Sequence, residues 1–208
     1  GKGTFWHAEG DIYVGEFQAD QANGFGVYTH VNGSKYEGEW VNDVQEGQGK
    51  EIWVDGAMYV GKYKGGMKHG YGVYNWADGS EFKGNWEENK ITGYGIYNWE
   101  DGRVYEGYWK QNNMHGQGLY KWPDGRQYEG NYYDDKKEGF GVYTYPDGRC
   151  YKGNWKGGKQ HGEGIFISPE GHQRNGEWKN GKRLYWLDEV NGEYAGQSSG
   201  VNGMSDAM

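Results

Sequence analysis

Five aspartates, Asp55, Asp78, Asp101, Asp124 and Asp147, stand 23 residues apart, and three histidines, His69, His115 and His161, recur every 46. Carboxylates and imidazoles hold metal ions and move protons in catalysis. Spacing decides against both uses. If each interval advances by two strands of a β-sheet, neighbouring aspartates stand about 10 Å apart and the histidines about 20 Å, whereas ligands of one ion sit roughly 2.1–2.4 Å from it. Each aspartate precedes a glycine and reads as turn chemistry; each histidine reads as a connector residue that caps local backbone. There is no Walker loop and no HExxH helix, and the many Gly-x-Gly pairs lack both a third glycine and a following helix. No catalytic residue, metal or cofactor is expected, and the chain does not read as an enzyme.

Aromatic side chains recur on the same interval. Trp53, Trp76, Trp99 and Trp122, continued by Tyr145, form a ladder with His7, His30 and Ser168 at its ends. Large rigid rings of this kind are enriched in binding hot spots. The ladder is the expected partner-binding site, with packing between neighbouring units as the competing role.

The elements that position the ladder are marked by glycine. Four columns, Gly1 to Gly162, Gly3 to Gly164, Gly10 to Gly171 and Gly15 to Gly176, each hold eight members 23 residues apart and account for 32 of the 41 glycines. Three aromatic columns keep the register. One runs Tyr13, Tyr36, Tyr59, Phe82, Tyr105, Tyr128, Tyr151; another holds Trp40, Trp86, Trp109, Trp155 and Trp178; a third holds Tyr28, Tyr74, Tyr97, Tyr120 and Tyr143 and is interrupted by Glu51. Such internal periodicity is the signature of a repeat architecture.

One unit, Gly118 to Tyr132 (GLYKWPDGRQYEGNY), gives the geometry. Pro-Asp-Gly between two alternating runs fits a three-residue hairpin loop, a type I turn followed by a left-handed glycine. Each unit therefore reads as a β-hairpin, with a connector of about six residues to the next. A three-residue loop places Gly24, Gly26, Tyr28 and His30 on the same face as Tyr36, Gly38 and Trp40, so rings alternate with bare backbone. The other face carries Val27, Thr29, Lys35, Glu37 and Glu39, a polar set with a single aliphatic. The fold class is all-β: an elongated, single-layer, twisted antiparallel array of about eight 23-residue hairpins, a solenoid or trough.

YEGEW, FKGNW, YEGYW, YEGNY and YKGNW, each followed by a connector such as GGMKHGYGVYNWADG, resemble MORN (membrane occupation and recognition nexus) repeats over residues 1–183. The pattern departs at Glu51, at Arg174 in place of tyrosine, and at Ser168. The resemblance implies a β-hairpin array acting as a scaffold or binding module. Members occur in junctional membrane proteins, protist cytoskeletal structures, lysine methyltransferases and phosphatidylinositol phosphate kinases.

Composition bounds the rest. Leu, Ile, Val and Phe number only 27 of 208 residues and the net charge is -8, a balance typical of disorder, but an aromatic share of 18% supplies the buried area that folding needs. Cys150 stands alone, which rules out an intrachain disulfide. No apolar run approaches the roughly 20 residues of a spanning helix and no signal peptide opens the chain, so a cytoplasmic location, peripheral at a membrane or the cytoskeleton, is expected. The acidic balance disfavours nucleic acid. Residues 1–104 hold 9 basic and 16 acidic side chains, residues 136–183 hold 10 and 5. Lys152, Lys156, Lys159, Lys179, Lys182 and Arg183 are the expected contacts if the chain binds acidic phospholipid.

The domain reading is a repeat array over 1–183 whose opening enters mid-unit, with more repeats expected upstream; a cap or dimer contact over 184–190, carried by Leu184, Tyr185, Trp186 and Leu187; and a disordered Gly/Ser-rich tail over 191–208. The expected function is a non-enzymatic scaffold that binds a partner peptide or helix in an aromatic-lined trough and self-associates end to end. The alternatives are peripheral phospholipid binding, or a regulatory region of a lipid kinase or methyltransferase.

Overall fold

The computed structural model describes residues 1–188; the expected tail, 191–208, and the end of the expected cap lie outside the described residues. Two compact units divide the chain, Gly1–Pro123 and from Asp124 onward. In the first, β1 (Lys2–Trp6), β2 (Ile12–Gln18), β3 (Gln21–Thr29), β4 (Lys35–Val41), β5 (Val44–Ile52) and β6 (Met58–Lys64) lead to β7 (Met67–Asn75), β8 (Glu81–Glu87), β9 (Lys90–Asn98), β10 (Val104–Lys110) and β11 (Asn113–Lys121). Each pairs antiparallel with the next. In the second, β12 (Gln127–Tyr133), β13 (Lys136–Thr144), β14 (Cys150–Lys156), β15 (Lys159–Ile167), β16 (Gln173–Lys179) and β17 (Lys182–Trp186) form the same meander. The all-β array of hairpins is as the repeat predicts.

The three-residue loop is present as read. His30 and Ser34 close it with a 2.8 Å backbone hydrogen bond, the Gly33 N–H donates to His30 at 2.9 Å, and Gly33 is left-handed with φ 95°. The loop residue before glycine accepts from the N–H two positions on: Ser34 to Asn32 at 2.9 Å, Ala57 to Asp55 at 2.9 Å and Ser80 to Asp78 at 2.8 Å. The aspartate column is turn chemistry of this kind.

The connector differs from expectation. Only two residues separate β4 from β5, Asn42 and Asp43, with φ of 48° and 66°. Both are left-handed, the condition of the type I′ turn that joins twisted strands most tightly. The chain thus alternates two kinds of hairpin rather than hairpins and loops, and the histidine column falls inside nine-residue strands: His69 in β7, His115 in β11, His161 in β15. His161 Nδ1 is buried without a hydrogen-bond partner among the described residues, so it does not cap backbone.

Burial alternates along the seven-residue strands, most regularly on β4, β6, β8 and β14. Tyr36, Gly38 and Trp40 of β4 are buried while Lys35, Glu37 and Glu39 are exposed. Tyr36, Tyr59, Tyr105, Tyr128, Tyr151 and Phe82 are the largest fully buried side chains, and the column of Trp40, Tyr63, Trp86, Trp109, Tyr132, Trp155 and Trp178 is buried beside them, so the core of each unit is two aromatic columns. Register pairs the floor glycines, Gly38 with Gly49 and Gly61 with Gly72, beneath those rings. The opposite face is less polar than expected. Phe25, Tyr71, Tyr94 and Phe140, the central residues of Gly-x-Gly, stand exposed on it, because they pair across the strands with Glu39, Asn85, Tyr108 and Asn154.

Candidate aromatic interaction surface

Each tyrosine of the column from Tyr13 to Tyr151 lies along its own strand and donates its hydroxyl to the carbonyl three residues on, as in Tyr36 to Glu39 at 3.1 Å, Tyr59 to Lys62 at 3.0 Å and Tyr105 to Tyr108 at 2.9 Å. The tryptophan column stands edge-on to it and is tied to the preceding hairpin through indole N–H bonds. Trp40 donates to Gly26 at 3.2 Å, Trp86 to Gly72 at 3.3 Å and Trp109 to Gly95 at 3.2 Å. A fully buried phenol is satisfied by these bonds, which is why tyrosine tolerates burial here.

The predicted ladder is built on top of this layer, and it is not a row of tryptophans alone. In the first unit Trp53, Tyr74, Trp76, Tyr97, Trp99, Tyr120 and Trp122 form one continuous pile, with successive centroids 5.2, 4.5, 4.9, 4.4, 5.4 and 4.4 Å apart and planes inclined by 27–38°. Tyrosines of the third column fill the gaps. Tyr74 near the end of β7 and Trp76 just beyond it are two residues apart and stack on each other; Trp53 reaches Tyr74 across a hairpin. Trp53, Trp76, Trp99 and Trp122 are all half-buried. In the second unit Tyr145, also half-buried, packs on Tyr143 at 4.8 Å and carries the Arg149 guanidinium at 5.0 Å.

Cations sit on the pile. The Arg103 guanidinium lies 5.1 Å from the Trp99 ring, with Nε donating to Asp101 at 2.8 Å and Nη1 to the Tyr120 hydroxyl at 3.2 Å. Lys68 Nζ lies 4.9 Å from Trp53, 5.3 Å from Tyr59 and 5.8 Å from Tyr74. Burial pushes the Lys68 ammonium below its ordinary value, and Glu51 at 3.8 Å pulls it partly back. Glu51 also accepts from the Tyr63 hydroxyl at 2.7 Å, so the interruption of the third column is matched by tyrosine in place of tryptophan beside it.

The basic residues of the second unit divide by face. Register sets Lys156 opposite Lys159 and Lys179 opposite Lys182, around the turns Gly157-Gly158 and Asn180-Gly181, and alternation places them with Lys152 on the face away from the buried rings. None of these five forms an ion pair among the described residues. Arg183 belongs to the aromatic face: it lies 4.0 Å from the Trp186 ring, and Arg174, in a tyrosine position, lies 4.2 Å from the same ring. Trp186 is buried against Trp178 at 6.0 Å, whereas Leu184 and Tyr185 are exposed and Leu187 half-buried.

Sequence reasoning missed Lys68 and Lys137 as ring-stacked cations. Their signal was a column that reads Ala22, Gln45, Lys68, Ile91, Met114, Lys137, Gln160, too variable in chemistry to attract notice. One Gly-x-Ser-x-Gly match, Gly196 to Gly200, lies outside the described residues.

With this geometry in hand, the family model for the MORN repeat matches residues 13–35, 36–58, 59–81, 82–102, 105–125, 128–148, 151–173 and 175–183. The chain belongs to the MORN repeat family. Among solved structures, this MORN array is similar to the TCP domain of SAS-4 (dCPAP) from Drosophila melanogaster in complex with a proline-rich motif of Ana2 (dSTIL), at 12% identity and TM-score 0.45, over 84% of this chain and 88% of that one. It is also similar to the TCP10 domain of CPAP from Danio rerio, at 16% identity and TM-score 0.29, over 88% and 98%. The search of curated proteins gives no significant match. Among the described residues no helix is long and apolar enough to cross a membrane.

Proposed function

We propose that this MORN array is a non-catalytic protein-interaction scaffold whose half-exposed aromatic pile, from Trp53 to Trp122, receives an apolar peptide or helix of a partner protein. The observation that carries the reading is the continuity of the pile: seven rings are already ordered by one another, and all but the buried Tyr120 are half-exposed. Rings fixed before binding lose little side-chain entropy on contact, and a long groove-like row suits an extended segment or a helix better than a small molecule. The test is affinity capture from the native cell with quantitative mass spectrometry, comparing the parent chain with Trp76→Ala/Trp99→Ala. A partner retained equally by a folded double variant sinks the reading.

A second reading rests on the lysine-rich turns of the second unit. Lys156, Lys159, Lys179 and Lys182 surround two adjacent tight turns, and with Lys152 on the same face they offer a compact cationic edge for acidic phospholipid headgroups at roughly 1 kcal/mol per residue. Vesicles containing phosphatidylserine should float the chain at low salt and lose it when the four turn lysines become glutamate; flotation that ignores both changes excludes this edge. Self-association would use the outer side of β17, where Leu184 and Tyr185 are exposed.

A further inference from the structure

In two repeats of this chain a lysine ammonium is stacked among aromatic rings. Lys68 lies over Trp53, Tyr59 and Tyr74 at 4.9–5.8 Å, and Lys137 lies over Tyr128, Tyr143 and Trp155 at 5.2–5.4 Å. The position that supplies these lysines is Ala22 in the first repeat. There the side chain stops at a methyl group, and a cavity of about 440 Å³ opens beside it. Its walls are the same rings one would predict by counting back along the repeat: His7, Tyr13 and Tyr28 stand 46 residues before Trp53, Tyr59 and Tyr74, and Trp40 stands 115 before Trp155.

The rim differs in charge as well as in size. Asp20 and Asp43 both line this cavity, and Asp43 is fixed by accepting from the Ala22 N–H at 2.7 Å. At Lys68 the corresponding residues are Gly66 and Asn89, and no other repeat carries two acids at this pair of positions. An aromatic cup with an acidic rim attracts a cation twice, through the ring quadrupoles and through the carboxylates. Every later repeat from Gln45 to Gln160 carries a longer side chain at this position, and where lysine stands there its ammonium lies among the rings; the first repeat has the cup and the added charge but only a methyl group.

We infer that the first-repeat cavity is a binding site for a lysine side chain presented by a partner peptide, which enters from the solvent side and takes the place that Lys68 and Lys137 take in their own repeats. This site is separate from the Trp53–Trp122 pile and stands whether or not that pile binds protein. The equivalent rings hold a lysine ammonium at 4.9–5.8 Å in the repeats of Lys68 and Lys137, and Tyr13 and Phe17 offer the stem of an entering lysine apolar contact.

The probes are N-acetyl-lysine methylamide and its uncharged norleucine and its arginine counterparts, titrated at millimolar concentration into the isotope-labelled 208-residue chain. The lysine probe should shift the Ala22 amide and the Trp40 indole resonance saturably, and norleucine should bind about tenfold more weakly. Asp20→Asn with Asp43→Asn keeps the acceptor for the Ala22 N–H and should weaken lysine about tenfold, while Ala22→Lys should fill the cup and abolish the shifts. Absence of saturable shifts at these two residues overturns the site. Equal binding of norleucine, tighter binding of the arginine probe, or undiminished binding to folded Ala22→Lys each overturns the assignment to lysine.

Discussion

The ring of Tyr36 rests directly on the α-carbon of Gly49: a Cβ placed on that glycine would stand 2.5 Å from Tyr36 Cε2. No real Cβ contact is that short, and Tyr36 cannot retreat, because it is fully buried and its hydroxyl is held by Glu39. Gly49→Ala is therefore an overpacking change in the core and should cost about 3 kcal/mol in urea denaturation, at the upper end of such changes. Gly56 offers the contrast. Its φ is 90° and nothing stands near a Cβ there, so Gly56→Ala should cost only about 1 kcal/mol through its conformation. Asparagine separates the two mechanisms: it should recover part of the loss at 56 and worsen it at 49.

That contrast shows how much of the fold was legible in the letters. Four glycine columns are visible as periodicity, but the reason for each is not: Gly33 and Gly47 are there for positive φ, Gly38 and Gly49 for want of a Cβ. The three-residue loop and the aromatic face could be read because turn signal and period-2 alternation agree. The two-residue turns could not, since the first residue varies freely, as in Ala19, Asn42 and Glu88, and only the second keeps to Asp, Asn or Gly, as in Asp20, Asp43, Asn89 and Gly158. The tryptophan ladder was visible as spacing; that Tyr74 stacks between Trp53 and Trp76 depends on contacts across a hairpin that spacing does not encode.

The pile and the core should separate cleanly in stability. Tyr59 is wholly buried, so Tyr59→Ala should cost about 3–5 kcal/mol by opening a cavity under two hairpins. Trp76 is only half-buried and should cost about 1–2 kcal/mol on truncation, mainly its contacts with Tyr74 at 4.5 Å and Tyr97 at 4.9 Å. Urea denaturation of both variants checks the order. Equal losses would mean the pile is core, and would withdraw the surface on which partner binding rests.

Alkaline pH should weaken the fold through its buried phenols. Burial, then Glu177 and Tyr145, pushes Tyr151 up to about 12, and burial pushes Tyr36 and Tyr59 higher still. A phenol that holds its proton more tightly when folded contributes stability that is complete below the ordinary tyrosine value near 10 and is lost as pH rises through the folded value. Urea midpoints should therefore fall from about pH 10 upward. Phe82 fills the same place in its repeat, so Tyr151→Phe should cost about 1 kcal/mol at neutral pH and show a shallower alkaline fall. An unchanged slope would assign the loss to other groups.

Glu51, Tyr63 and Lys68 should behave as one unit. In four other repeats the pair equivalent to Glu51 and Tyr63 is tyrosine with tryptophan, as in Tyr28 with Trp40 at 6.1 Å and Tyr74 with Trp86 at 5.9 Å. Tyr63→Trp alone removes the hydroxyl that Glu51 accepts from at 2.7 Å; Glu51→Tyr alone strands that hydroxyl and the half-buried Lys68 ammonium together. Each single change should cost about 1–2 kcal/mol. The double change rebuilds the ring pair and offers the introduced indole N–H the carbonyl of Gly49, as Trp40 uses Gly26 and Trp86 uses Gly72. It should therefore be less harmful than the two losses combined by about 1 kcal/mol in a double-mutant cycle. Losses that simply add would mean that the departure at Glu51 arose independently of its neighbour, and that the third repeat tolerates it by exposure to water rather than by an exchanged set of partners.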